Sequence, residues 1–217
     1  MTVEGATVRR SSKRIVPEAH VDVERRTPDY VGRGGHKLDA ALDAFEIDVT
    51  GRRALDVGAS TGGFTQALLR RRAQSVVAVD VGRRQLAPEL RNDTRVTLRE
   101  ETDIRSIGPA DVSGPFALVT VDLSFISTIG LADRLAAFVG HGGDAVVLVK
   151  PQFEAGRDAL DKRGVVNDPA VHRNVVERAV DGFGAAGLRV RGTVESPVTG
   201  GSGNREWLLW STRAGSP

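Results

Sequence analysis

Apolar residues gather along the chain in short runs rich in valine, leucine and alanine, which predict β-strands. Seven such runs occupy Arg53–Gly58, Ser75–Val81, Val96–Glu101, Ala117–Leu123, Asp144–Lys150, Leu188–Glu195 and Glu206–Thr212. The second, fourth and fifth runs are almost continuously apolar, as expected for parallel strands covered on both faces. The pattern therefore predicts a largely parallel sheet enclosed between two layers.

Between the runs, apolar residues recur at helical spacing. The predicted helices are His36–Phe45, Phe64–Arg71, Leu131–Val139 and Pro169–Gly184. Asp168 precedes Pro169, which gives the last helix a favourable N-cap and a proline at its first position. The alternation of strands and helices predicts an α/β fold with helices on both faces of the sheet.

The last two predicted strands are joined by the segment SPVTGGSGN, which leaves no room for a crossover helix. Parallel neighbours need a connection of about a dozen residues or more, so these strands should be antiparallel. The sequence thus predicts a seven-stranded, mostly parallel sheet with a C-terminal antiparallel hairpin. This is the arrangement of Rossmann-like methyltransferases.

Composition excludes several classes of protein. The 217 residues are 40% hydrophobic and 27% charged, as in an ordinary globular domain. Lys and Arg number 30 against 28 Asp and Glu, a balance that permits nucleic-acid binding without requiring it. No cysteine is present, which excludes disulfides, thiolate metal sites and cysteine nucleophiles. No apolar stretch approaches the roughly 20 residues of a membrane span, and MTVEGATVRRSSKR lacks the apolar core of a secretory signal. We expect a cytoplasmic protein with no membrane partner and no metal.

The segment LDVGASTGGF, residues 55–64, is the strongest local motif. A strand ends in Asp56, and a loop with three glycines leads into a helix. Its spacing matches neither the dinucleotide fingerprint nor the phosphate-binding P-loop. An acid beside small residues suits a cofactor that carries an amino-acid moiety. The alternative is a tight turn without a ligand.

Two further acids follow predicted strands. Asp80 lies about 20 residues beyond the glycine-rich loop, where an acid accepts hydrogen bonds from ribose hydroxyls. Asp103 is placed to meet an adenine amino group. The alternatives are a solvated acid for Asp80 and a helix N-cap for Asp103.

Four more charged residues, Lys37, Asp122, Lys150 and Glu206, stand at loop or strand ends where a doubly wound sheet places its site. Each alone is explained as well by a salt bridge. Together, two lysines and two acids at converging positions favour a catalytic site.

Eight motifs in order carry a family resemblance: GRGGHKL, LDVGASTGGFT, VAVDVGRRQL, VDLSFIS, LVKPQFEAGR, GVVNDP, SPVTGGSGN and EWL. The chain resembles the TlyA/hemolysin-A family of ribosomal RNA 2′-O-methyltransferases, which are relatives of the FtsJ/RrmJ-type enzymes. The resemblance extends from about Tyr30 to Trp210.

The resemblance implies S-adenosylmethionine as cofactor. It places the methionine moiety against Asp56, Gly58, Ala59, Ser60, Thr61, Gly62, Gly63 and Phe64. It places the ribose at Asp80 and the adenine near Asp103, and it includes Val81 and Asp122 among the cofactor-binding residues. It also maps the family's Lys-Asp-Lys-Glu tetrad onto Lys37, Asp122, Lys150 and Glu206.

The implied activity is methylation of a ribose 2′-hydroxyl, at a cytidine, in ribosomal RNA or ribosomal subunits. Lys150 is our candidate base, for which it must be neutral part of the time. Asp122 would orient Lys150 and the hydroxyl, and Glu206 would position Lys37.

The resemblance divides the chain in two. Residues 1–29 are predicted to be a remnant of an S4-like RNA-binding domain plus a linker, and residues 30–217 the methyltransferase domain. The basic residues expected to bind RNA are Arg9, Arg10, Lys13, Arg14, Arg33, Arg157, Lys162 and Arg163. The alternative for each is an ordinary surface charge.

Three other functions compete with this one. The first is an RNA- or ribosome-binding protein that keeps the fold without the activity, which the complete tetrad argues against. The second is a nicotinamide-dependent oxidoreductase, which lacks its dinucleotide fingerprint here. The third is a membrane-lytic protein, which no apolar span or basic amphipathic helix supports.

Overall fold

The computed structural model describes residues 2–3, 6–7, 16, 19–22 and 30–215. Near the N-terminus, three two-residue strands pair antiparallel in the order β2-β1-β3: β1 (Thr2–Val3), β2 (Ala6–Thr7) and β3 (Val21–Asp22). The assignment of residues 1–29 to an S4-like remnant stays a prediction.

Seven further strands form one sheet in the order β6-β5-β4-β7-β8-β10-β9. They are β4 (Arg53–Val57), β5 (Ser75–Val79), β6 (Val96–Arg99), β7 (Phe116–Val121), β8 (Val139–Val149), β9 (Leu188–Glu195) and β10 (Trp207–Arg213). The α-helices are α1 (Gly34–Ala44), α2 (Gly63–Arg70), α3 (Pro88–Arg91), α4 (Ala132–Phe138), α5 (Pro151–Glu154) and α6 (Pro169–Ala185). Within the described part of the chain, no helix is long and apolar enough to cross a membrane.

The strand directions confirm the predicted fold class. β4 to β8 pair in parallel, whereas β10 pairs antiparallel with both β8 and β9. β10 therefore lies between β8 and β9. The short connection between β9 and β10 explains why these two strands pair as an antiparallel hairpin.

The main differences from the predicted elements are the start of one strand and the presence of two short helices. β8 begins at Val139, five residues before the predicted Asp144, and its pairing with β7 shifts register between Phe116 and Leu118. The glycine-rich segment at this shift, residues 140–143, carries no apolar pattern from which a strand is predicted. Helices α3 and α5 were not predicted either, because four residues are too few to display a helical period.

Alternate residues of each strand feed two apolar layers, one on each face of the sheet. In β8, Val146 and Leu148 face the layer that contains α1 and α2, whereas Val147 and Val149 face the opposite layer. Leu38 and Leu68 represent the helices of the first layer. The second layer contains α4 and α6, which contribute the buried side chains of Leu135, Phe138, Val175, Ala179 and Phe183. The helices thus cover both faces, and the carboxyl edge of the sheet is left for the site.

At the opposite end of the sheet, one buried acid joins β8 to β10 and to the residue that precedes β4. Asp144 of β8 accepts hydrogen bonds from Arg52 Nη1 at 2.5 Å and from Trp210 Nε1 at 2.8 Å. Removing this carboxylate leaves a partly buried indole N–H and a guanidinium without their acceptor.

We expect Asp144→Ala to lower the free energy of unfolding by about 1–3 kcal/mol, the usual effect of unsatisfying buried donors. Urea denaturation measures it. Glu195→Ala is the matched control, since Glu195 pairs with Arg205 at 2.5 Å on the exposed edge strand. The control should change the free energy by about 1 kcal/mol or less. Equal effects would show that Asp144 contributes no more than a surface ion pair.

Candidate active site

Two neighbouring cavities open at the carboxyl edge of the sheet. The first, of about 580 Å³, is lined by Lys37 and Lys150 and is called the lysine cavity. The second, of about 510 Å³, is lined by Asp80 and Asp103 and is called the Asp80 cavity. Five residues line both: Gly58, Ser60, Asp122, Ser124 and Phe125. Both volumes lie within the range of small-molecule sites, and the shared wall makes the pair suitable for one elongated ligand.

The first of two ion pairs in the lysine cavity joins the ends of β7 and β8. Lys150 Nζ lies 2.5 Å from Asp122 Oδ1 and donates to Ser124 Oγ at 2.9 Å. Lys150 is 7% exposed, so its charge is largely withdrawn from water. A buried ammonium needs such partners, and here they fix the lysine nitrogen at the cavity wall.

The second ion pair joins helix α1 to the start of β10. Lys37 Nζ pairs with Glu206 Oε2, and both residues are buried. The other carboxylate oxygen of Glu206 accepts from Gln152 Nε2 at 3.2 Å. The two pairs share the lysine cavity, so the structure brings together the four charged residues that the sequence singled out.

The glycine-rich loop separates the two cavities. Gly58 has φ +87°, and a Cβ there would collide with the carbonyl group of Asp122. Ser60, also left-handed at φ +48°, donates its N–H to Asp80 Oδ2 at 2.8 Å. Gly82 donates its N–H to Asp80 Oδ1 at 2.6 Å. The Asp80 carboxylate therefore anchors the loop, and each of its oxygens retains a second lone pair for a ligand.

Asp56 lies beneath the loop and lines neither cavity. Its side chain is fully buried and accepts hydrogen bonds from Thr65 Oγ1 at 2.6 Å and from Thr120 Oγ1 at 3.2 Å. Burial raises the pKa of Asp56 to about 7, and the nearby negative charge of Asp122 adds to the increase. In this structure the carboxyl is placed to hold the loop on the sheet, and it has no direct contact with the cavity.

The other predicted cofactor residues divide between the cavities. Ala59, Thr61, Gly63 and Phe64 line the lysine cavity. Gly62 lines neither, since it caps α2 and a Cβ there would meet Leu86 and Leu90.

In the Asp80 cavity, Val81 is 68% exposed and presents an apolar surface beside Asp80. Asp103 lines the same cavity, and hydrogen bonds from the Arg105 side chain lower the pKa of Asp103. The carboxyl is therefore charged at neutral pH and acts as an acceptor.

The basic residues predicted to bind RNA are placed unevenly. Arg33 and Arg163 line the lysine cavity, whereas Arg157 and Lys162 are exposed outside its lining. Four others lie outside the described residues: Arg9, Arg10, Lys13 and Arg14.

Many residues that line the lysine cavity were not predicted from the sequence, and four of them follow Asp122 or Lys150 closely in the chain. Ser124 and Gln152 contact the ion pairs, and Phe125 packs on Phe153 with ring centroids 5.1 Å apart. Phe125 is 90% exposed, unusual for an aromatic side chain. These four residues could have been predicted from their place in the chain, since each follows Asp122 or Lys150 by two or three residues.

Comparison with known proteins gives a consistent result. The family model described as FtsJ-like methyltransferase matches residues 30–213. A Mycobacterium tuberculosis protein named 16S/23S rRNA (cytidine-2′-O)-methyltransferase TlyA is 47% identical over 181 residues, which cover 83% of this chain and 68% of that protein. A Bacillus subtilis relative, YqxC, provisionally named an rRNA methyltransferase, is 45% identical over 83% of this chain and 64% of its own length. The chain spans about two thirds of the length of these relatives.

Solved structures agree with these matches. A Streptococcus thermophilus protein, provisionally named a hemolysin, superimposes with a TM-score of 0.83 at 39% identity, covering 92% of this chain and 72% of that chain. More distant methyltransferases, 16–17% identical, superimpose with TM-scores of 0.55–0.61. At that level of identity the similarity shows a common fold.

The raised pKa of Asp56 makes stability depend on pH. The unfolded chain releases this proton near 3.8 and the folded chain near 7, so between these values the folded state holds more protons. Its contribution to stability is therefore complete below pH 3.8 and is lost as the pH rises through 7.

We expect the wild type to lose stability relative to Asp56→Asn as the pH rises. The difference between their free energies of unfolding, wild type minus variant, should fall by on the order of 2 kcal/mol from about pH 5 to about pH 8. Urea denaturation across this range measures the difference, in which other titrating groups cancel. A difference that is flat or rises with pH would contradict the raised pKa.

Proposed function

The chain belongs to the family of FtsJ-like methyltransferases, and from this premise we propose that it transfers a methyl group from S-adenosylmethionine to the 2′-hydroxyl of a cytidine in ribosomal RNA. The TlyA/hemolysin-A resemblance is confirmed by the relatives. The nucleoside and the RNA come from the names of relatives that are longer than this chain. Cytoplasmic location stays a prediction.

One observation carries the proposal. Two lysine–carboxylate pairs, Lys150–Asp122 and Lys37–Glu206, stand in one cavity beside a glycine-rich loop. Withdrawing four charged side chains from water is costly, and replacing such pairs by apolar residues is often neutral or stabilising. Their presence at the carboxyl edge of the sheet is therefore better explained by chemistry than by stability.

The described residues fit S-adenosylmethionine. Asp80 keeps lone pairs for ribose hydroxyls in the second cavity, and Val81 and Asp103 offer an apolar surface and an acceptor for the adenine. The glycine-rich loop lies between the two cavities, where the methionine part would lie. When bound, the cofactor supplies a methyl group on a positively charged sulfur.

Lys150 is the proposed base. Its neutral amine accepts the proton of the ribose 2′-hydroxyl while the hydroxyl oxygen bonds to the methyl carbon. Transfer of the methyl group from a bound S-adenosylmethionine would leave the electron pair of the carbon–sulfur bond on sulfur, so the products would be the 2′-O-methyl ribose, S-adenosylhomocysteine and a protonated Lys150. Asp122 and Ser124 hold Lys150 Nζ at the wall, so the base is positioned before the RNA binds.

Glu206 and Lys37 complete the site from the other side. Glu206 fixes Lys37 by their ion pair, and Gln152 fixes Glu206. Lys37 retains N–H groups that can donate to an oxygen of the ribose or of its phosphate. The second pair thus orients the nucleotide that the first pair deprotonates.

We expect Lys150→Ala and Lys150→Arg both to lower the rate of methyl transfer by at least about 100-fold, the lower range for loss of a positioned base. The arginine variant keeps the positive charge but does not lose its proton in proteins. Transfer of labelled methyl groups to unmethylated ribosomal subunits, followed by nucleoside mass spectrometry, measures the rate and the product.

Binding of S-adenosylmethionine, measured by calorimetry, should change little in both variants. Arg189→Ala on the edge strand is the control for a lost charge far from the cavities. Near-normal turnover in Lys150→Arg would rule out Lys150 as the base. Absence of transfer in the wild type, with RNA binding intact, would favour the non-catalytic RNA-binding alternative.

RNA binding should depend on salt through Arg33 and Arg163, the two exposed arginines of the lysine cavity. We expect each alanine variant to reduce the slope of log affinity against log salt concentration by about 0.7, the value for one single-strand phosphate contact. Fluorescence anisotropy with an RNA transcript, repeated over a series of KCl concentrations, measures the slope. Arg189→Ala should leave it unchanged, and unchanged slopes in both test variants would place the RNA elsewhere.

A further inference from the structure

The segment 157–166 forms one rim of the lysine cavity and is called the basic flap. It carries Arg157, Lys162 and Arg163 against Asp158 and Asp161, so three basic and two acidic residues leave a net charge of +1. Arg163 lies 3.5 Å from Asp161 and reaches the cavity lining together with Leu160 and Gly164. The segment contains one 3-10 turn and one isolated bridge between Leu160 and Val166, so regular secondary structure does not account for its shape.

An internal turn shapes the flap. Asp161 accepts hydrogen bonds from the N–H of Val165 at 2.9 Å and of Arg163 at 2.8 Å, and from Asn167 Nδ2 at 3.1 Å. The hydrogen bond from Val165, followed by that from Asn167, lowers the pKa of Asp161 to about 2. The turn holds the flap's own conformation but does not attach it to the rest of the cavity.

That attachment comes from Asn204, which is 2% exposed. Its Oδ1 accepts from the N–H of Val166 at 3.0 Å, and its Nδ2 donates to the carbonyl of Gly164 at 2.9 Å. The backbone carbonyl of Asn204 accepts a hydrogen bond from the N–H of Gly200 at 2.8 Å. One buried amide therefore joins the flap to the loop between β9 and β10.

Asn204 is chemically matched to this position. An amide side chain both donates and accepts hydrogen bonds, so it can satisfy one N–H and one C=O group of the same backbone segment. His172 of α6 completes the attachment through Nε2, which lies 2.9 Å from the Val166 carbonyl. Because that carbonyl only accepts, the proton is on Nε2. Both backbone groups of Val166 are thus held by side chains from other elements.

We propose that Asn204 is a positioning residue that fixes the basic flap as a preformed RNA-binding rim of the active site. The proposal rests on the proposed function, since it assigns the flap to the RNA and not to the cofactor. Asn204 stands two residues before Glu206, so the same short segment sets both the flap and the acid that holds Lys37. Because the rim is ordered before the RNA binds, binding does not carry the entropic cost of ordering the rim.

The test compares Asn204→Ala, Asn204→Asp and the control Asn167→Ala. The first variant removes both hydrogen bonds to the flap, and the second keeps an acceptor for Val166 but loses the donor to Gly164. The control removes the two hydrogen bonds of Asn167 Nδ2, to Asp161 at 3.1 Å and to the carbonyl of Val165 at 3.5 Å, and leaves the attachment to the other loop intact. Hydrogen exchange, RNA affinity and cofactor affinity are measured on each.

We expect Asn204→Ala to speed amide exchange at residues 161–166 and to raise KM and Kd for unmethylated 16S and 23S rRNA transcripts by about tenfold, the equivalent of two net hydrogen bonds. The affinity for S-adenosylmethionine should stay within about twofold, since no cofactor-side contact is lost. Asn204→Asp should raise KM at least as much, because its buried carboxylate would face the carbonyl of Gly164. Asn167→Ala should raise it almost not at all.

Unchanged exchange in Asn204→Ala would overturn the attachment, and unchanged RNA affinity would overturn its role in RNA binding. An equal loss of cofactor affinity would also overturn the proposal, because it would indicate general damage to the site. Asn204→Asp provides the same readouts should the alanine variant fail to fold. If the wild type binds RNA without transferring methyl groups, the proposed function fails, while exchange and RNA affinity still decide the role of Asn204.

Discussion

The architecture of the site depends on a single constraint, the burial of two lysines at the carboxyl edge of the sheet. A buried ammonium is tolerated when a carboxylate and hydrogen-bond acceptors surround it. Lys150 obtains these from the end of the neighbouring strand β7, and Lys37 obtains its partner from the start of β10. Strands β7, β8 and β10 and helix α1 must therefore meet at one point, and the sheet order places β7 and β10 on either side of β8.

Much of this convergence follows from the alternation of side chains along strands. In β8, Val146 and Leu148 face the α1 and α2 layer, so Lys150 continues the same face one residue beyond the strand. Leu118 of β7 and Leu208 of β10 belong to that layer too. Asp122 and Glu206 are an even number of residues away from these leucines, so their side chains point to the same face of the sheet. The strands were predictable because their apolar runs are nearly continuous. Once the strands are known, the alternation of side chains along each strand places these charged residues on the face of the sheet where α1 carries Lys37.

The alternation of side chains does not by itself tell whether a residue lies inside a strand or just past its end. Asp56 points to the same face of the sheet as Ala54, toward the α1 and α2 layer. However, β4 continues to Val57, so Asp56 lies within the strand and not past its end. The acid is therefore inside the sheet, under the loop, where two threonines satisfy it. Asp122 and Lys150 instead lie just past their strands and reach the cavity. Contacts such as Asn204 with Val166 were also invisible in the sequence, because 38 residues separate the partners and neither lies in a periodic element.

Asp122 connects the two halves of the site. Its carboxylate holds Lys150, its N–H donates to the carbonyl of Val57 at 2.9 Å, and its carbonyl occupies the space that a side chain at position 58 would need. Any movement of the glycine-rich loop is therefore transmitted to the partner of the proposed base. The basic flap, which we propose to bind RNA, is instead joined by Asn204 to the β10 side. Geometry at the methyl group should thus follow the cofactor loop, whereas affinity for RNA should follow the flap, and substitutions in one half should leave the other largely unaffected.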